Sequence, residues 1–142
     1  MIRLDSVAQA LSEKLSKATI AQQRSAARTA CVLAVSHVGL EGADIGLALQ
    51  HLRSGGPVDS ELLRRLEAFA TELDDEYLRL EEEDGGRTPE SLRAFHRSRA
   101  VSALVICLAD DPGQLHEVIY EAIAAFDDAA AMISRVSASL LG

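Results

Sequence analysis

Between Asp59 and Asp84, apolar residues recur at spacings of three and four, as Leu62, Leu66, Phe69, Leu73, Tyr77 and Leu80, with Glu, Asp and Arg filling most positions between them. That is the 3.6-residue period of an α-helix with one apolar stripe. The stretch predicts an amphipathic helix of about six turns. A stripe of that length needs an equally long apolar surface to lie on, so the rest of the chain has to supply one.

The remaining segments repeat the same period, and none alternates long enough to read as a strand. Residues 6–17 predict a helix with Asp5 as N-cap. Thr19-Ile20-Ala21-Gln22 has capping-box spacing and opens a second helix that runs to about Val38 and stops at Gly39. A shorter helix over 41–53 ends in Ser54-Gly55-Gly56-Pro57. After the acidic helix, Thr88-Pro89 supplies an N-cap with proline in the first helical position, and that helix runs to about Ala109. Asp111-Pro112-Gly113-Gln114 repeats the start signal, and Leu115, Val118, Ile119, Ala122, Ile123, Phe126, Ala130, Ile133 and Leu140 keep the period nearly to the end. The expected fold is all-α: about six helices over residues 1–142 in one compact antiparallel bundle or orthogonal helix-pair array.

Composition fits that reading. Hydrophobic residues make up 48% of the 142, yet aromatics are only 4% and Trp is absent, so Leu, Ala, Val and Ile must fill the core, which suits closely packed helices. A chain of this length buries about two-thirds of its unfolded surface and needs no staple. Cys31 and Cys107 each sit in an apolar run without metal-ligand spacing, and read as buried thiols rather than a disulfide or metal site. No N-terminal apolar run resembles a signal peptide and no stretch reaches the length of a membrane span, so the expected location is the cytoplasm.

Charge is distributed unevenly. The total is −8, which disfavours nucleic acid and anionic membranes as partners. Residues 59–84 alone carry eleven acids against Arg64, Arg65 and Arg79, a local balance of −8, whereas residues 1–40 and 85–109 are each +3. The densest basic run, Arg93-Ala94-Phe95-His96-Arg97-Ser98-Arg99, has two readings: an anion or acidic-partner site, or a set of arginines that pair internally with the acidic helix. Internal pairing is the favoured one.

Catalytic constellations are absent by spacing. A di-iron bundle needs Glu-x-x-His on two helices, and the four histidines, His37, His51, His96 and His116, fall on four predicted helices without it. Only His37 has a carboxylate, Glu41, at helical spacing. Glu72-x-x-Asp75 and Glu81-x-x-Asp84 match half of a magnesium site of the helical pyrophosphohydrolase kind, but no Glu-x-x-Glu faces them, so a solvated outer face is expected. No G-x-S-x-G elbow and no phosphate-binding glycine loop occurs. No metal, cofactor or catalytic residue is therefore expected. Asp110-Asp111 reads as a helix cap, and Asp127-Asp128 carries no chemistry of its own.

Three stretches, Ala27-Arg28-x-Ala30, Arg97-x-x-Ala100-Val101-x-Ala103-Leu104 and Ile119-Tyr120-Glu121-Ala122-Ile123-Ala124-Ala125-Phe126-Asp127-Asp128, resemble small helical actinobacterial proteins that include immunity proteins of polymorphic toxin systems. The likeness covers about a quarter of the chain and transfers no catalytic residue. It implies a stoichiometric binder that neutralises a partner, for which an acidic face suits a basic toxin.

Three functional expectations follow. The first is a non-enzymatic interaction module whose acidic helix turns Glu72, Asp75, Glu76, Arg79, Glu82 and Glu83 outward to a basic partner. The second is an enzyme or small-ligand binder with His96, Arg97, Arg99 and Tyr120 converging in a pocket between helices. The third is a homodimer through the apolar stripe of residues 115–140.

Overall fold

The computed structural model describes residues 2–56 and 58–140, and among these every regular element is helical. In chain order they are α1 (Arg3–Val7), α2 (Gln9–Lys17), α3 (Ile20–Val38), α4 (Ala43–Ser54), α5 (Ser60–Glu83), α6 (Pro89–Ala109), a 3₁₀ turn (Pro112–Gln114), α7 (Leu115–Ala124) and α8 (Ala130–Ser139). None is long and apolar enough to cross a membrane.

Local chemistry explains most of the boundaries. The Thr19 hydroxyl accepts the Gln22 amide at 3.1 Å and Gln22 Oε1 accepts the Thr19 amide at 2.9 Å, closing the capping box at the start of α3. Gly39 ends that helix at φ 68°, a conformation glycine adopts at no steric cost. Leu40 then donates back to the Val35 carbonyl and buries its side chain. Gly85, at φ 69°, ends the α5 region in the same way, with Gly86 donating to the Glu81 carbonyl at 2.9 Å. Thr88 then caps α6 reciprocally with Ser91. Two long helices thus meet across a five-residue connection and pack side by side.

The core runs through all eight helices. α6 is its centre, packed against α3, α5 and α7, and the all-round apolar second half of α6 buries Val101, Ala103, Leu104, Cys107 and Leu108. Small residues set the spacing. Ala26, Ala27, Ala30 and Ala34 of α3 and Ala100 and Ala103 of α6 are all fully buried, and side chains this small allow helices to pack closely.

Two expected helices are each divided in two. The predicted 6–17 helix breaks at Ala8 (φ −156°, ψ 67°), and Asp5 is not its N-cap. Asp5 lies inside α1, accepting the Ile2 amide at 3.3 Å with one oxygen and the Ser12 hydroxyl of α2 with the other, so it joins the two pieces. The predicted helix over the last thirty or so residues stops at Ala124 and restarts at Ala130. At the break Phe126 stacks on His37 with ring centroids 4.1 Å apart, and Asp128 Oδ1 accepts the Ala130 amide at 3.0 Å in the turn that leads into α8.

Much of the apolar stripe behind the expected dimer face is used within the chain. Leu115, Val118, Ile119, Ala122, Ala125, Met132, Val136 and Leu140 are buried within the chain itself. Among the described residues the exposed large apolar side chains are Val7, Ile20, Val32, Leu47 and Leu78, while Ile123, Phe126 and Ile133 of the stripe are half-buried.

Candidate functional site

The sequence period of α5 decides which of its side chains can meet a partner. Leu62, Leu66, Ala70 and Leu73 are buried, and Glu72, Asp75, Glu76, Arg79, Glu82 and Glu83 are all exposed on the other side. Arg79 Nη1 pairs with Glu83 at 3.2 Å, one turn on. Among the described residues, Glu72, Asp75, Glu76 and Glu82 have no ion-pair partner. At the edge of this face is Leu78, 59% exposed, more than Val7, Ile20, Val32 or Leu47. Asp75 and Glu82 lie three residues before and four after it, so the three share one stripe of the helix.

A second set of charges is turned inward. Glu121 of α7, only 5% exposed, accepts Arg99 Nη1 at 2.9 Å and Arg3 Nη2 at 3.2 Å. Arg99 reaches on to Asp74 of α5 at 3.1 and 3.2 Å, and the fully buried Ser98 hydroxyl also donates to Asp74. Arg3 bonds to Glu117 as well and lies 4.1 Å above the Tyr120 ring. The hydrogen bond from Arg3 holds the Glu117 carboxyl below its usual range against the opposing effect of burial. The same bond raises the Arg3 guanidinium further above its ordinary value. These groups join α1, α5, α6 and α7 and leave Arg99 and Tyr120 committed within the fold.

The expected convergence of His96, Arg97, Arg99 and Tyr120 is therefore corrected. His96 and Arg97 line a cleft of about 530 Å³ with His37, Leu92, Arg93 and Asp127, while Arg99 and Tyr120 belong to the inward ion network. The helix period separates them, because Arg93 and Arg97 project about 40° apart around α6 whereas Arg99 lies about 200° from Arg97. Internal pairing holds for Arg99 alone. No ion pair forms at Arg93 or Arg97 among the described residues, and His96 Nε2 approaches Asp127 at 3.4 Å. Two guanidinium groups and two imidazoles against one carboxylate make this cleft suited to an anion.

Sequence reasoning missed Glu121, although a lone acid between Tyr120 and Ala122 in an apolar run is a signal for a buried, partnered carboxylate. It also missed the place of His37, which lines the cleft from the end of α3 and stacks on Phe126. No group of three or more His, Cys, Asp or Glu side chains that could hold a metal occurs among the described residues. Compared with known proteins, the chain matches no family model, no curated sequence and no solved structure.

Proposed function

We propose that the protein is an interaction module that binds a positively charged partner protein through the outer face of α5. The observation that carries this reading is the outer face of α5, where the exposed Leu78 is bordered by Asp75 and Glu82 and where Glu72, Asp75, Glu76 and Glu82 are carboxylates that no cation among the described residues neutralises. Unpaired charge steers an oppositely charged partner into encounter, and a leucine desolvated at the edge of the patch helps to hold it once there. Neutralisation of a basic toxin is the specific form that the resemblance to immunity proteins implies. The test is a Glu72→Lys/Asp75→Lys/Glu82→Lys variant, used beside the unaltered protein as bait in host extract at low and high salt. The expected outcome is loss of a salt-eluted basic protein, with affinity reduced about tenfold or more. Retention of the same partner with the same salt dependence overturns the reading.

A second reading, a small-anion binder, is favoured by the unpaired Arg93 and Arg97 in the 530 Å³ cleft. Calorimetric titration with inorganic phosphate, compared between the unaltered protein and Arg93→Ala/Arg97→Ala, tests it. Heat that survives the double substitution, or none in either protein, removes it.

A further inference from the structure

The cleft beside Arg93 and Arg97 has a cationic edge and an apolar edge. Pro89, Leu92, Arg93, His96 and Arg97 line it from α6 at spacings of three and four, so they share one face of that helix. Across this face Leu92 lies about 100° round the helix from Arg93 and about 140° from Arg97, which sets the leucine at one edge and the arginines at the other. Arg93 and Arg97 also line a neighbouring cleft with Glu76 of α5 and Glu90, so theirs is the edge nearer α5. Neither arginine forms an ion pair with those carboxylates among the described residues. His96, on the leucine side of Arg93, approaches Asp127, and His37 and Val38 line the cleft from the end of α3.

The two edges suit different parts of one ligand. Arg93 and Arg97 stand one turn apart and can bring two guanidinium forks to a single anion. One fork satisfies both oxygens of a carboxylate, whereas two forks match a phosphate monoester, which has three terminal oxygens and up to two charges. Away from the arginines, His37 is exposed, and Phe126 covers one face of its ring with the planes 19° apart. The imidazole lines the cleft and Phe126 does not, so Phe126 backs a ring whose other face is open to a flat ligand. Leu92, Pro89 and Val38 add apolar surface beside it. At about 530 Å³ the cleft falls among small-molecule sites, roughly 300–1,000 Å³, and a lone phosphate ion fills little of it.

We propose that this cleft binds an aromatic phosphate monoester, with its phosphate on Arg93 and Arg97 and its ring laid against His37 and Leu92. The proposal rests on the small-anion reading of the cleft and adds what the anion carries. Asp127 is the carboxylate that lines the cleft, and its approach to His96 keeps it on the ring side, away from the arginines that take the phosphate.

The experiment titrates the purified full chain calorimetrically with phenyl phosphate, glycerol 3-phosphate, benzoate and inorganic phosphate. Phenyl phosphate should bind about tenfold more tightly than any of the other three, the size of a ring stack joined to modest apolar burial. In His37→Ala that advantage should fall to about threefold or less, with the affinity for inorganic phosphate unchanged. In Arg93→Ala/Arg97→Ala binding of every phosphate should be lost. His37 also stacks on Phe126, so the comparison of ligands on the unaltered protein provides a measurement that needs no substitution. Equal affinities for phenyl phosphate and inorganic phosphate overturn the proposal and leave the small-anion reading standing, whereas no heat with any of the four removes both. Benzoate that binds as tightly as phenyl phosphate overturns the choice of a phosphate. An advantage that a folded His37→Ala protein keeps in full overturns the placement of the ring.

Discussion

The carboxylates on the outside of α5 and those at its inner edge are the same chemical groups in different surroundings. Glu72, Asp75, Glu76 and Glu82 face water and touch no cation, whereas Asp74, on the same helix, receives Arg99 and Ser98, and Glu121 of α7 is enclosed by Arg99 and Arg3. An exposed acid keeps its hydration and contributes little to stability. An enclosed one has lost most of it and depends on its partners. The comparison separates charge that holds the fold from charge that is free to meet another molecule.

Removing Arg99 breaks the comparison at its strongest point. Arg99→Ala strips Glu121 of one of two partners and Asp74 of its only arginine, and should destabilise the protein by about 3 kcal/mol, read as a drop in melting temperature of about 10 °C. The cause is sharpened by adding Glu121→Gln. If an unpaired buried charge is responsible, the double variant regains part of the loss. If the double variant falls further, the aliphatic stem of Arg99 matters more than its charge.

Ser98→Ala tests the same inner edge with a smaller change. Its hydroxyl is fully buried and donates to Asp74, so its loss should cost about 1 kcal/mol in urea unfolding. A neutral result would mean that Arg99 alone satisfies Asp74.

How much of this was legible depends on how local each cause is. The caps at Thr19 and Thr88, the stop at Gly39 and the buried and exposed sides of α5 follow from neighbours within about four residues, and the structure agrees with the sequence at each. The breaks at Ala8 and over residues 125–129 depend on Ser12 meeting Asp5 and on Phe126 meeting His37, contacts that period and propensity do not encode. The α6 arginines fall between these cases. Their angular positions were readable from residue number, yet only the packing of α5 and α7 against α6 decides that Arg99 meets carboxylates while Arg93 and Arg97 line a cleft.

Acid titration probes the outer rim of the network, where the expected effect is smaller again. Glu117 is held below its ordinary value of 4.5 chiefly by Arg3. Its folded pKa is therefore lower than its unfolded one. The stabilisation it gives is complete above the unfolded value and is lost as pH falls through the lower folded value. Between about pH 5 and about pH 3 the unaltered protein should lose stability more steeply than Arg3→Met. Because Arg3 is half exposed, the difference should stay below about 1 kcal/mol at neutral pH. Parallel acid titrations of the two proteins would move Arg3 to the same class as the free carboxylates of α5.

The smallest stability effect belongs to the largest charge change. Glu72→Lys/Asp75→Lys/Glu82→Lys removes three negative charges and adds three positive ones on a chain of net charge −8, at positions without an ion pair among the described residues. If the outer face takes no part in holding the fold, the melting transition should stay within about 0.5 kcal/mol of the unaltered protein. Any shift should be upward, because repulsion among the remaining carboxylates is relieved. A fall comparable to that of Arg99→Ala would show that the face is structural after all and erase the distinction between the two regions. A stable variant that has also lost its salt-eluted partner would separate recognition from folding within a single helix. Asp74 and its outward neighbour Asp75 would then differ in role because Arg99 and Ser98 of α6 bond to the one and leave the other to water.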